Sequence, residues 1–233
     1  VVEAFTGTRG EHQRALLKQY WIDDGQEEDD YIAQAETLVY PIGMGPMQRK
    51  HKQYLMNRQF SPNKLEKEWG LQGTDHKDPG YKFRVIAPID FKYAPVSYQG
   101  RDITDRQSEK YKACSREKEV IHHKHVLYGW DKAKWDACLV VEGITGVWRF
   151  GPGTVGTFGA QYKRSQVRLL ASRYKRAFLC FDNDEAGVIA QDSMDVELTV
   201  LGVETIIVDL DEDEDSGSID QADADAFMRE VRT

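Results

Sequence analysis

From residue 137 onward the chain alternates short apolar runs with longer amphipathic ones. Residues 137–142 (ACLVVE), 177–182 (AFLCFD) and 204–210 (ETIIVDL) each read as a strand apolar on both faces, and a shorter strand is predicted around 153–158. Residues 161–174 carry Val167, Leu169, Leu170 and Tyr174 at helical spacing, and a long helix is predicted over 185–201. Strands without a polar face, alternating with helices, predict an α/β fold with a parallel sheet flanked by helices. In such a sheet the functional groups lie beyond the carboxyl ends of the strands.

The first half has a different rhythm. Residues 47–70 predict two short helices, the second with Ser61 as N-cap, Pro62 at its first position and Gly70 as a left-handed stop. Phe60, Leu65 and Trp69 form its apolar face. Over 81–102, Phe83, Val85, Ile86, Phe91, Val96 and Tyr98 recur at strand-like spacing, with Pro88 and Pro95 as interruptions, which predicts short strands and turns. Residues 10–20 predict a helix, 23–30 a polar loop and 41–46 a second break. The expected organisation is a helical or linker segment over 1–46, a smaller basic α+β subdomain over 47–135, and the parallel-sheet domain over 136–233.

Composition changes this picture in three ways. Hydrophobic content of 40% and charged content of 30% suit a soluble globular protein, and no apolar run approaches the roughly 20 residues of a membrane span. The chain opens on Val1-Val2-Glu3 without Met or a signal-peptide pattern, so residues upstream are expected. Cys114, Cys138 and Cys180 are far apart, which argues against a disulfide framework or zinc ribbon and for a reduced, cytoplasmic setting. The net charge of −8 is partitioned as −6 over 1–41, +8 over 42–135 and −10 over 136–233. A basic segment beside an acidic one suggests one part that grips a polyanion and another that grips cations.

The acids fall where the sheet would gather them. One strand ends in Glu142-Gly143, another in Asp182-Asn183-Asp184, and the last runs into Asp209 and residues 211–215. Packed carboxylates repel and their burial is costly, a conflict that a divalent cation resolves. Oxygen ligands without Cys or His favour Mg²⁺ or Mn²⁺ over Zn²⁺.

Glu142-Gly143 followed about 40 residues later by Asp182-x-Asp184 in the segment FDNDEAG resembles the Toprim domain of bacterial-type, phage-like DNA primases. Upstream, Arg84–Ile89 resembles the family's R-x-x-F-P-I strand, Gln99-Gly100-Arg101 its G-G-R turn, Lys110-Tyr111 its K-Y-L-N-S run, and residues 121–129 its F-x-K-x-x-x-L-Y-G segment. The resemblance covers about residues 50–230. It implies a nucleotidyltransferase that makes short RNA primers from NTPs on single-stranded DNA, with a replicative helicase as partner, in a bacterial cell or phage-infected host. It implies Glu142, Asp182 and Asp184 as catalytic metal ligands, with Asp215 at a further acidic position. It implies Arg84, Arg101, Lys110 and Lys124 as nucleotide or template contacts.

Two positions depart from the family pattern. Gly146 stands where primases usually carry Asp, and Ser216 follows Asp215 where they usually carry Pro. Gly146 keeps one rival in play, a non-catalytic Toprim nucleic-acid-binding protein; the other rival, a Toprim nuclease, would use the same acids, and the primase-like basic segment argues against it. Gly151–Gly156 matches G-x-G-x-x-G but precedes a strand, so it is no dinucleotide fingerprint. His122, His123 and His125 have no nearby Cys and are expected to serve surface packing or phosphate contacts rather than zinc.

Overall fold

The computed structural model describes residues 35–210 and 215–232. The helix expected over 10–20, the polar loop 23–30 and the acids 211–214 lie outside the described residues. The chain divides into two compact units between His123 and Lys124. That is earlier than the boundary after Trp135 expected from charge, for a local reason. Tyr128 bridges Gly156 and the Trp130 carbonyl accepts from Arg173 at 2.7 Å, so this segment packs inside the second unit.

In the first unit, helices α1 (Arg49–Asn57) and α2 (Pro62–Trp69) precede an antiparallel sheet. α2 has the expected punctuation, with Ser61 at the N-cap and Gly70 left-handed at φ 66°. The Ser61 side chain makes no cap hydrogen bond, so the stop and start here are set by backbone geometry. The sheet order is β1 (Gln72–Gly73), β2 (Arg84–Phe91), β3 (Ala94–Asp102), β4 (Tyr111–Ala113).

Instead of short interrupted strands, residues 84–102 form one long hairpin. Its turn is Lys92-Tyr93, both at positive φ (52° and 61°), the two-residue turn that matches strand twist. Pro88 lies past the residues that pair with β1, and Pro95 sits where the register slips beside Asp90. Both are places where a missing amide donor is tolerated. Tyr81, Ile86, Tyr98 and Cys114 form the core here, with Leu38, Tyr40 and Met44 packed against it.

In the second unit four strands run parallel in the order β6 (Thr154–Gly156), β5 (Ala137–Val141), β7 (Arg176–Cys180), β8 (Glu204–Ile207). The predicted helices are α4 (Arg164–Arg173) and α5 (Glu185–Val200). Two more were not predicted, α3 (Ile144–Phe150) and α6 (Gln221–Val231). α3 is buried at every residue, so it offers no polar face for a helical period to show. It packs against α6, and Phe227 of α6 meets Phe150 of α3 and Phe178 of β7 edge-on. β8 corrects the expectation of strands buried on both faces. It is an edge strand, with Ile206 and Ile207 exposed by 37% and 42%. All three cysteines are buried thiols, and no described helix is long and apolar enough to cross a membrane.

Candidate active site

β5 and β7 are neighbours in parallel register, Val141 opposite Cys180, so Glu142 and Asp182 leave the sheet side by side. The Asp182 N–H donates to Glu142 Oε1 at 3.1 Å. Asp182 Oδ1 lies 3.5 Å from the Ser216 N–H, which brings the Asp215-Ser216 turn to the same place. Asp184 caps α5, with Oδ1 accepting the Gly187 N–H at 2.8 Å. Such a cap contributes about 1 kcal/mol, so Asp184 has a structural duty beside any ligand role. Asp215 Oδ1 accepts the Gly217 N–H at 2.8 Å.

Burial raises the Glu142 carboxyl to about 7, with the Asp182 and Asp184 charges adding to the effect. Asp182 is also raised, first by burial and then by Asp215 and Asp184, while hydrogen bonds from Ser216 oppose the shift. The carboxylates therefore crowd at the end of the sheet under mutual repulsion that protons or a cation must relieve. An all-oxygen donor set of this kind fits a hard divalent cation. Glu142, Asp182, Asp184 and Asp215 each keep a carboxylate oxygen beyond the bonds described, and these atoms could hold it.

Two small residues make this convergence possible. A Cβ on Gly187 would lie 2.7 Å from Glu142 Oε1 and closer still to the Asp182 carbonyl oxygen. A Cβ on Gly146 would lie 3.0 Å from Ser216 Cβ, 3.1 Å from Val141 Cγ2 and nearer yet to Ser216 Oγ. The two departures from the primase pattern thus face each other. Ser216, 3% exposed, fills the space beside Gly146 and sends its N–H and hydroxyl toward Asp182. A side chain at 146 would require Ser216 to shift.

Sequence reading missed two positioning residues. Arg149, buried on α3, donates from Nε and Nη2 to the Gly217 carbonyl (3.3 and 3.2 Å) and from Nη1 to Gln221 Oε1 (3.3 Å), which holds the turn carrying Asp215. Gln191 Oε1 on α5 accepts the Phe181 N–H at 3.0 Å and fixes the exit of β7. The only signal for Arg149 was a lone charge in the apolar run Ile144–Phe150.

The basic residues divide between the units. Lys124 lies in the second unit with the acids. Its Nζ donates to the carbonyls of Phe158 (2.7 Å) and Gln161 (2.8 Å). Burial lowers its ammonium to about 8 while the Glu142 charge pulls it upward. Arg84, Arg101 and Lys110 belong to the first unit. Arg84 is buried, and its guanidinium donates to the carbonyls of Gly100 (3.1 Å), Glu109 (2.9 Å) and Lys110 (3.5 Å), so it braces the sheet rather than facing solvent. Arg101 is 3% exposed; Nε donates to Tyr54 Oη at 2.7 Å, and the guanidinium stacks 4.5 Å from the Tyr111 ring centre. Its Nη1 has no hydrogen-bond partner among the described residues. The Lys110 side chain is exposed.

Residues 27–134 match the family described as DNA primase catalytic core, N-terminal domain, and residues 144–219 match the Toprim-like family. A DNA primase of Treponema pallidum (strain Nichols) is 26% identical over 167 residues, covering 68% of this chain and 27% of that protein. The chain thus spans about a quarter of the length of this curated relative. Similar solved structures include a DnaG primase catalytic domain bound to single-stranded DNA, at 21% identity and TM-score 0.65, covering 95% of this chain and 80% of that one. The E. coli primase catalytic core is 19% identical with TM-score 0.63, covering 78% and 72%. The primase fragment of the bacteriophage T7 primase-helicase protein is 17% identical with TM-score 0.56, covering 84% and 79%. These structures share the fold, and a Toprim-like domain implies divalent-metal binding in general terms. A match to a primase-core N-terminal domain is thus followed by a match to a Toprim-like domain, and in this order of domains the chain is similar to DNA primase catalytic cores.

Proposed function

We propose that this chain joins NTPs into short RNA primers on a single-stranded DNA template, the nucleotidyl transfer of a DNA-directed RNA polymerase of primase type. The observation that carries this reading is the Glu142–Asp182 pair at the ends of adjacent parallel strands, with Asp184 and Asp215 drawn to it, in a chain similar to DNA primase catalytic cores. Mg²⁺ or Mn²⁺ on Glu142, Asp182, Asp184 and Asp215 would offset phosphate charge and favour ionisation of the attacking hydroxyl. The chain's own work is positioning and charge, which is most of what nucleotidyl transfer needs.

The basic residues take graded parts in this reading. Arg101 presents a desolvated donor, Nη1, suited to a phosphate or base acceptor. Lys110 reaches the template backbone from an exposed segment that Arg84 holds by its carbonyls. Lys124, beside Glu142, is placed to meet nucleotide phosphate. The partners are single-stranded DNA, NTPs, the RNA primer and a replicative helicase, in the cytoplasm of a bacterial or phage-infected cell.

The test is primer synthesis from labelled NTPs on single-stranded DNA with Mg²⁺ or Mn²⁺, with Asp182→Asn as control. Template-dependent short RNA that disappears in Asp182→Asn supports the reading. Shortening of the template would turn the assignment to a nuclease. DNA binding without synthesis, unaffected by metal, would turn it to a non-catalytic Toprim protein.

A further inference from the structure

The first unit holds a second group of candidate ligands, unrelated to the Toprim acids. Glu119, His122 and His123 each offer one ligand atom, and these atoms lie within 4.8 Å of one another. No other group of three or more His, Cys, Asp or Glu residues meets that distance among the described residues. The Glu119 carboxylate is fully buried, with the His122 and His123 side chains 16% and 10% exposed. His122 Nδ1 stands 2.5 Å from Glu119 Oε1, and His123 Nδ1 3.8 Å from Oε2. The two rings lie 4.4 Å apart at 74° to each other, so their nitrogens need not compete for one direction.

From this we propose that Glu119, His122 and His123 form a transition-metal site of the Zn²⁺ class, with three protein ligands and a fourth position open to solvent at His122. Two imidazoles and one carboxylate make a donor set that Zn²⁺ accepts and Mg²⁺ does not favour. Ligand atoms about 2.0–2.1 Å from a tetrahedral ion stand roughly 3.3 Å apart. The three ligand atoms, one from each residue, lie within 4.8 Å of one another, and each imidazole faces its own oxygen of the Glu119 carboxylate, at 2.5 Å for His122 and 3.8 Å for His123.

The carboxylate is fixed in advance. Ser97 Oγ donates to Glu119 Oε2 at 2.6 Å, and the Val120 and Ile121 N–H groups pair with the Val96 carbonyl at 2.8 and 3.3 Å. A ligand held by a hydrogen bond behind it binds metal more tightly than a free one. The same bonds tie the segment 119–121 to β3, so a bound ion would clamp 122–123, the last residues of the first unit, onto its sheet. This reverses the expectation that these histidines serve surface contacts. His125 takes no part, since its Nδ1 meets Ser165 Oγ at 3.2 Å in the second unit.

Co²⁺ is the probe, because imidazole-bound Co²⁺ of low coordination number absorbs strongly in the visible. The full chain is titrated with Co²⁺ at pH 7.5, alongside His122→Gln and Asp182→Asn. His122→Gln alters the most exposed of the three ligands, and an unchanged far-ultraviolet circular dichroism spectrum confirms its fold. The expected result is visible bands that saturate at one equivalent, persist in Asp182→Asn, vanish in His122→Gln, and are bleached by Zn²⁺ but not by excess Mg²⁺. Absence of bands overturns the proposal. So do bands that survive His122→Gln, and if they are then lost in Asp182→Asn the ion lies on the Toprim acids. Failure of primer synthesis would leave this result unchanged, so the two readings fall separately.

Discussion

Replacing Gly187 with Ala sets two ordinary effects against each other. In an open helix interior the change stabilises by about 1 kcal/mol, because Gly is the poorer helix former. Here the new Cβ would meet Glu142 Oε1 at 2.7 Å and the Asp182 carbonyl oxygen at a still shorter distance. The carboxylate can rotate, but the carbonyl cannot, because it accepts the Asp184 N–H at 2.8 Å within the turn. Overpacking of this kind costs typically about 1–3 kcal/mol. The Gly187 N–H is also the donor to the Asp184 cap, worth about 1 kcal/mol more if the turn shifts. The clash and the lost cap outweigh the helix gain, so Gly187→Ala should lose about 1–3 kcal/mol by urea denaturation. It should also weaken Mn²⁺ binding, read by electron paramagnetic resonance, because Glu142 and Asp182 are pushed apart. A Gly187→Ala protein as stable as the parent, with unchanged Mn²⁺ affinity, would refute this account of the site.

Three further outcomes are expected. Gly146→Asp, which restores the residue usual in primases, should cost about 1–3 kcal/mol by crowding Ser216, and Ser216→Gly in the same chain should recover most of it; simple additivity in thermal and urea unfolding would contradict the contact. Arg149→Met should leave the Gly217 carbonyl without its donor, cost about 1–3 kcal/mol and weaken Mn²⁺ binding through a loosened Asp215 turn, while normal stability and affinity would remove its positioning role. His51 is buried, takes the Gln48 N–H on Nδ1 and bonds the Thr74 carbonyl through Nε2, so it folds neutral and burial lowers its pKa. The unfolded chain then binds a proton that the folded chain does not, and stability should fall as pH drops below about 6.5, by at most roughly 1.4 kcal/mol per pH unit. His51→Asn should flatten that slope, and an identical pH dependence in parent and variant would exclude the residue as its source.

How much of this was legible in the sequence depended on how local each signal was. The parallel strands after residue 137 showed because strands covered on both faces read as near-continuous apolar runs, as β5 does throughout and β7 does from Ala177 to Cys180. The acids showed because Glu142 and the Asp182-Asn183-Asp184 run sit at strand ends, where chain direction alone puts them on one side of the sheet. Gly70 ended α2 as expected, since its left-handed backbone is a property of one residue. α3 did not show, for a helix buried all round has no amphipathic period and this one carries Gly146 in its middle. The hairpin turn did not show either, because Lys92-Tyr93 adopts positive φ without the Gly or Asn that usually marks such a turn.

The sequence by itself determined the parallel strands, the helices α1, α2, α4 and α5 and the acids at the strand ends, because period, caps and charge act over a few residues. Only the tertiary structure decided that β8 is an edge, that Arg84 braces a sheet, and that Arg149 holds the Gly217 carbonyl 68 residues away. It also decided that Ser216 fills the space beside Gly146, so that two separate departures from the primase pattern become one packed contact. Such outcomes follow from close packing and from the need to satisfy buried polar groups, which act between residues distant in sequence and leave no local pattern to read.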